Sequence, residues 1–192
     1  IRDGDICIVS CPFALYGRKH KMLDELIEKC ERLGVEILLD FIYLPNSMNK
    51  TVDMDLSASC IKQITFSLSK TFPVQCAKIA LRLTKHKLSD PMQMSNDENI
   101  SNRLAAGLGF EIMNNFPLDH MTNKYRDQQS KWCDIMGLEK TNVVHFAYGP
   151  HYHKKTNTET NFCSPYNVQD GRYNLGMLYE NHKLLERVGL DE

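Results

Sequence analysis

The sequence predicts an α/β protein, a mainly parallel sheet with flanking helices followed by a small α+β domain. Three observations carry this. First, "DICIVSCPF" and "VEILLDFIYLP" are apolar runs rich in β-branched residues, ended by Pro12 and Pro45, and read as buried strands. Second, the segment between them, "KHKMLDELIEKCERLG", places Leu23, Leu26, Ile27, Cys30 and Leu33 at helical spacing with charge on the outer face. Strand, helix and strand on short connections form a βαβ unit, with the strands parallel and the crossover right-handed. Third, the strand pattern gives way to helical periodicity after the polar stretch "KLSDPMQMSNDEN", the candidate boundary between domains over residues 1–90 and 91–192.

Gly34 stands where a helix-ending glycine belongs. "NSMNKTVDMDLSAS" is polar and reads as a loop. "CIKQITFSLSK" is the third strand, and "AKIALRLTK" a fourth in which Ile79, Leu81 and Leu83 alternate with Lys78, Arg82 and Lys85. Beyond the boundary, "ISNRLAAGLGFEIMNNF" and "LDHMTNKYRDQQSKWCDIMG" read as helices, the second ended by Gly137. A strand, "NVVHFAYG", a polar tract from Pro150 to Gln169, a short strand near "GRYNLGM" and a last helix, "MLYENHKLLERVG", complete the order.

The composition excludes several partners. Among 192 residues, 23 basic and 24 acidic side chains leave a net charge of −1, so no basic surplus points to nucleic acid or an anionic membrane. No apolar run approaches the roughly 18 residues of a membrane span. Seven scattered cysteines with no CxxC pair read as reduced thiols of a cytoplasmic protein. His145, His151, His153 and Cys163 invite a metal reading, but Gly149 and Pro150 break the stretch and no carboxylate completes a set, so no metal is expected. A chain that opens with Ile on a strand pattern reads as one piece of a longer protein.

Polar residues sit where buried strands end. In open parallel sheets, ligands bind outside the carboxyl ends of the strands. Asp40 closes "VEILLD", Tyr43 follows three residues later, and Lys70 closes "ITFSLSK". A carboxylate straight after Ile37-Leu38-Leu39 is costly unless it is paired. A lysine in such a place is suited to act as a nucleophilic amine and to form a Schiff base.

These residues, in this order on these strands, resemble the second half of the large domain of a fold-type I pyridoxal-phosphate enzyme of the class I/II aminotransferase kind. The likeness runs from about Ile6 to Leu83 and rests on the D-x-x-Y element and on Ser67-x-Ser69-Lys70 with Lys78 eight residues beyond the lysine. The resemblance implies that Lys70 forms the Schiff base with the cofactor and later shuttles the substrate's α-proton. It implies that Asp40 pairs with the ring nitrogen, that Tyr43 hydrogen-bonds the ring's phenolic oxygen, and that Ser67 and Lys78 bind the phosphate. Arg172 is the implied clamp for the substrate carboxylate. Arg82, on a large-domain strand, is less suited to that role.

Two departures accompany the likeness. Ala14 stands where the family commonly has an asparagine, and Lys78 where it usually has an arginine. The expected protein transaminates an amino acid or related amine with a keto acid, as a homodimer. The alternatives are decarboxylation or elimination on the same cofactor, or a degenerate relative kept as a non-catalytic partner subunit.

Overall fold

The computed structural model describes residues 1–13, 17–48, 53–72, 74, 77–150, 170–176 and 178–179. The polar tract after Pro150, the last helix, Ala14, His151, His153 and Cys163 lie outside these residues. The βαβ unit is present: β1 (Ile6–Ser10), α1 (Leu23–Leu33) and β2 (Glu36–Asp40), with β1 and β2 parallel. α1 buries Leu23, Ile27 and Cys30 against the sheet, each large side chain contributing about 1.5–3 kcal/mol. Gly34 ends the helix in the left-handed region at φ 67°, as its position after the last periodic residue predicts.

β3 (Ile61–Ser67) pairs in parallel with β2, and β4 (Ala80–Thr84) returns antiparallel beside it. The sheet order is β1-β2-β3-β4. Both ends of this order depart from the sequence reading. β1 is an edge strand rather than a fully buried one: Cys7 and Val9 pack on the core, while Ile6 and Ile8 are 69% and 73% exposed. On β4 the apolar alternation is turned outward. Leu81 and Leu83 are exposed, whereas Arg82 is drawn in to pair with Asp90. That pair carries a second contact of 3.1 Å between Nη2 and Oδ1.

The polar stretch read as a boundary holds a short helix, α2 (Pro91–Asp97). Asp90 accepts from the Gln93 amide and Pro91 occupies the first turn, so the Asp-Pro pair is a helix start rather than only a break. α3 (Arg103–Asn115) begins at Asn102, whose side chain accepts from the Ala105 amide. Its buried residues, Ala105 and Ile112, pack on Leu68 and Ile79 of the β3–β4 connection. Gly109 lies against Ile79 with no room for a side chain, since a Cβ there would stand 2.7 Å from Ile79 Cγ2.

α4 (His120–Met136) ends at Gly137, φ 64°. A three-stranded antiparallel sheet follows, β5 (Glu139–Lys140), β6 (Phe146–Pro150) and β7 (Asp170–Asn174). β5 is only two residues long, too short to leave a periodic signal in the sequence. Tyr125, Trp132, Cys133 and Met136 of α4 form a core with Val144, Ala147, Tyr173 and Leu175. A separate core lies between α1 and the first sheet. Among the described residues, no helix is long and apolar enough to cross a membrane.

Candidate active site

Asp40 ends β2 level with Ser10 of β1 and Thr65 of β3, so the parallel register itself surrounds its carboxylate with hydroxyls. Its Oδ1 accepts from the Ile42 amide at 3.1 Å and from Thr65 Oγ1 at 3.4 Å, and its Oδ2 accepts from Ser10 Oγ at 3.5 Å. This answers the cost of a half-buried carboxylate after an apolar run: neighbouring strands supply its donors.

The chain then turns tightly. Tyr43 precedes a single 3-10 turn, Leu44–Asn46, with Pro45 inside it. The Tyr43 ring meets the Phe146 ring edge-on, centroids 5.1 Å apart. The guanidinium of Arg172, on β7, lies over the same Phe146 ring at 4.5 Å. Phe146 therefore joins the tyrosine that follows Asp40 to the arginine near the end of the described chain.

β3 ends at Ser67, three residues before Lys70, which lies in the turn that follows and is exposed. Among the described residues its ammonium takes no hydrogen bond and no ion pair. Its main chain is held closely. The Lys70 carbonyl accepts from Asn46 Nδ2 at 2.8 Å, and the His145 ring lies beside the same backbone. The structure thus gathers Asp40, Tyr43 and Lys70 at the carboxyl ends of β2 and β3 and ties Arg172 to them through Phe146.

Ser67 and Lys78 sit differently. Ser67 Oγ donates to the Ile79 carbonyl at 3.3 Å and accepts from the Ser69 amide at 3.2 Å. Ser69 Oγ accepts from the Ile79 amide. Both hydroxyls close the β3–β4 connection. Lys78 is exposed, at φ 46°. Arg82 is occupied by Asp90 on the outer strand. Among the described residues no group of three or more His, Cys, Asp or Glu side chains is placed to hold a metal ion. A cavity of about 900 Å³ lies elsewhere, between β1 and α1. Ile8, Val9, Met22 and Leu26 line it, and none of the six predicted site residues does.

Asn46, Phe146 and His145 are the site residues that sequence reasoning missed in these roles. Burial pushes the His145 pKa down from 6.5 to about 4, only partly opposed by the Lys70 backbone beside it. The ring is therefore neutral in the folded protein at neutral pH. The unfolded chain takes up this proton near pH 6.5 and the folded one only near pH 4. The stability tied to the neutral ring is fully present above pH 6.5 and is lost as the pH falls towards 4. The loss amounts to at most about 3 kcal/mol. Urea unfolding of the wild type and of His145→Gln should show a stability difference that shifts in favour of the variant between pH 7 and pH 4. Parallel pH profiles would refute the assignment.

With this geometry in hand, the comparison with solved structures is direct. The fold is similar to that of an aminotransferase from Staphylococcus aureus, with a TM-score of 0.65 and 14% identity over 97% of this chain and 57% of that one. The likeness runs over nearly all of this chain, which spans only about half the length of the solved structures it matches. An aspartate aminotransferase from Thermotoga maritima matches with a TM-score of 0.67 and 11% identity, over 96% of this chain and 54% of that one. A PLP-bound C-S lyase from Staphylococcus hominis matches at 0.62 and 12%, over 97% and 56%. No family model matches the sequence, and no curated protein does. At these identities the aminotransferase likeness is one of fold.

Pyridoxal phosphate asks three things of the ring end of such a site, and the residues there fit them. An amine free of ion pairs is present in Lys70, an oriented carboxylate in Asp40 and a phenol in Tyr43. The phosphate end fits less fully, because the Ser67 hydroxyl is bonded to main chain.

Proposed function

We propose that this protein is a pyridoxal-phosphate-dependent enzyme that transfers the amino group of an amino acid or related amine to a keto acid. One observation carries the reading. A carboxylate facing the Ile42 amide and the hydroxyls of Ser10 and Thr65, and a lysine whose ammonium has no partner among the described residues, leave adjacent parallel strands at the same end of the sheet. That is the end where open α/β sheets bind ligands.

When bound, pyridoxal phosphate supplies an aldehyde and an electron-withdrawing ring. Lys70 presents the amine that meets the aldehyde and takes and returns a proton at the substrate's α-carbon. Asp40, oriented by Ser10, Thr65 and the Ile42 amide, holds a proton on the ring nitrogen. Tyr43 would supply a hydrogen bond to the phenolic oxygen, and Lys78 would supply positive charge to the phosphate, with Ser67 joining it only by giving up its main-chain bonds. Arg172 has the planar fork that binds a carboxylate in two places, and its seat on Phe146 fixes that fork beside the tyrosine.

In this reading residues 1–90 carry the cofactor side and residues 91–192 the small domain, and the working unit is a homodimer. Free thiols at Cys7, Cys11, Cys30, Cys60 and Cys133 support a cytoplasmic setting. The similarity to a PLP-bound C-S lyase favours a second reading, elimination at the same site by the same lysine.

The test is direct. Protein treated with pyridoxal phosphate and then borohydride should carry the label on Lys70. Lys70→Ala should lose the label and slow amine turnover on the order of a thousandfold. A Lys70→Ala variant as active as the wild type would sink the enzyme reading. A labelled protein that releases pyruvate and ammonia from a β-substituted amino acid, and transfers no amino group, would favour the lyase.

A further inference from the structure

Asn46 is fully buried, and it binds three separate segments. Its amide nitrogen donates to the Tyr43 carbonyl at 3.1 Å, closing the tyrosine turn. Its own carbonyl accepts from the Val144 amide at 2.8 Å, on the approach to β6. Its side-chain Nδ2 donates to the Lys70 carbonyl at 2.8 Å. A buried side-chain amide is costly unless it is hydrogen-bonded, so a polar residue at this depth needs a reason.

His145, the residue after Val144, lies beside the same backbone. Its Nδ1 is buried with no partner among the described residues. The His145 carbonyl accepts from the Leu175 amide at 2.7 Å, and a Cβ on Gly176 would stand 3.3 Å from His145 Cδ2. The Lys70 carbonyl lies outside the strand ladder, since β3 ends at Ser67. Asn46 is the side chain that fixes it.

The geometry points to Asn46 as the positioning residue for the Lys70 amine. Its side chain does not touch the reacting atoms. It acts through the Lys70 main chain, where rotation of one peptide swings the four-carbon stem and the nitrogen at its tip. Displacing a reacting group by about 1 Å can cost about a hundredfold in rate. The inference rests on the reading of Lys70 as the reactive amine. It goes further in placing control of that amine on a residue of the tyrosine turn.

The test compares Asn46→Leu and Asn46→Asp, which remove the donor at nearly constant size, with Asn46→Ser, whose hydroxyl is too short to reach the Lys70 carbonyl and adds no bulk. Each purified protein is treated with pyridoxal phosphate and borohydride. The rate of labelling is read by peptide mass mapping at Lys70 and, as an internal control, at Lys87, whose side chain is 71% exposed. The Asn46 variants should label Lys70 about a hundredfold more slowly and shift the absorbance band of the treated protein, with Lys87 unchanged. Wild-type labelling of Lys70 in folded Asn46→Leu and Asn46→Asp would overturn the clamp and leave the function standing. If those two fail to fold, wild-type labelling in Asn46→Ser would overturn it. If wild-type Lys70 labels no faster than Lys87, the functional reading falls and the clamp falls with it.

Discussion

Replacing Gln129 with leucine should lower the unfolding free energy by about 3 kcal/mol, although the residue lies one helix away from the candidate site. Gln129 is fully buried on α4. Its Nε2 shares two hydrogens among three carbonyls, those of Thr141 and Val143 at 3.1 Å and of Phe146 at 2.7 Å, while its Oε1 is buried with no partner among the described residues. The segment it gathers makes the turn into β6 and carries His145 and Phe146. Thr141 Oγ1 also bonds the Val143 and Phe146 carbonyls, and the Tyr179 hydroxyl donates to the Val144 carbonyl. Leucine fills nearly the same space but leaves the Thr141 carbonyl without its side-chain donor and weakens two others. Each buried group left unsatisfied costs about 1–3 kcal/mol. Urea unfolding monitored by circular dichroism measures the loss, and a change below 1 kcal/mol would show that the segment is held without Gln129.

Gly17→Ala should be at least as damaging, and for a different reason. Gly17 has φ 65°, and a Cβ built on it would stand 2.6 Å from the Val143 nitrogen and 3.0 Å from the Asn142 nitrogen. Both obstacles are main chain and cannot swing aside. They are themselves pinned, because the Met48 amide donates to the Asn142 carbonyl at 2.7 Å and Ser47 bridges to Val143. The left-handed conformation alone costs an alanine about 1–2 kcal/mol, and forced overpacking adds about 1–3 kcal/mol. Gly4 supplies the control. It has φ 84° with nothing within 4 Å of an added Cβ, so Gly4→Ala isolates the conformational cost. Thermal unfolding of the two variants should separate them by several degrees. Similar midpoints would mean that the 142–143 segment yields to the methyl group.

What the sequence made legible was local. Asp40 and Tyr43 follow one apolar run, Lys70 follows another, and a glycine-ended amphipathic helix joins the first two strands. Each is a pattern within some ten residues: the helix and its glycine fall where the sequence places them and Asp40 closes β2, while β3 stops at Ser67 and leaves Lys70 in the turn beyond. The errors also have local causes. Ile6 and Ile8 look like core residues because alternation and burial share one signature, and nothing in "DICIVS" says that the strand has a neighbour on only one side. The Asp90-Pro91 pair can start a helix or break one, and only the bond from the Gln93 amide decides between them. Asn46 and His145 were out of reach for another reason. The bond from Asn46 to Lys70 spans 24 positions, and His145 lies beside the Lys70 backbone from just before β6, so no window of sequence contains either pair. Phe146 links Tyr43 to Arg172 in the same way.

The two apolar interiors are stitched together by a handful of amides. Met48 and Asn142 share one bond, Val144 and Asn46 another, and Thr122 reaches the Ser47 carbonyl with a third. Such a seam resists bending poorly, because its bonds bunch within a few residues instead of spreading along a broad face. Any tilt of the second sheet would therefore pivot there. Since Asn46 belongs to the pivot and grips the lysine loop, the tilt would be transmitted to the nitrogen at the end of that side chain as a change of angle.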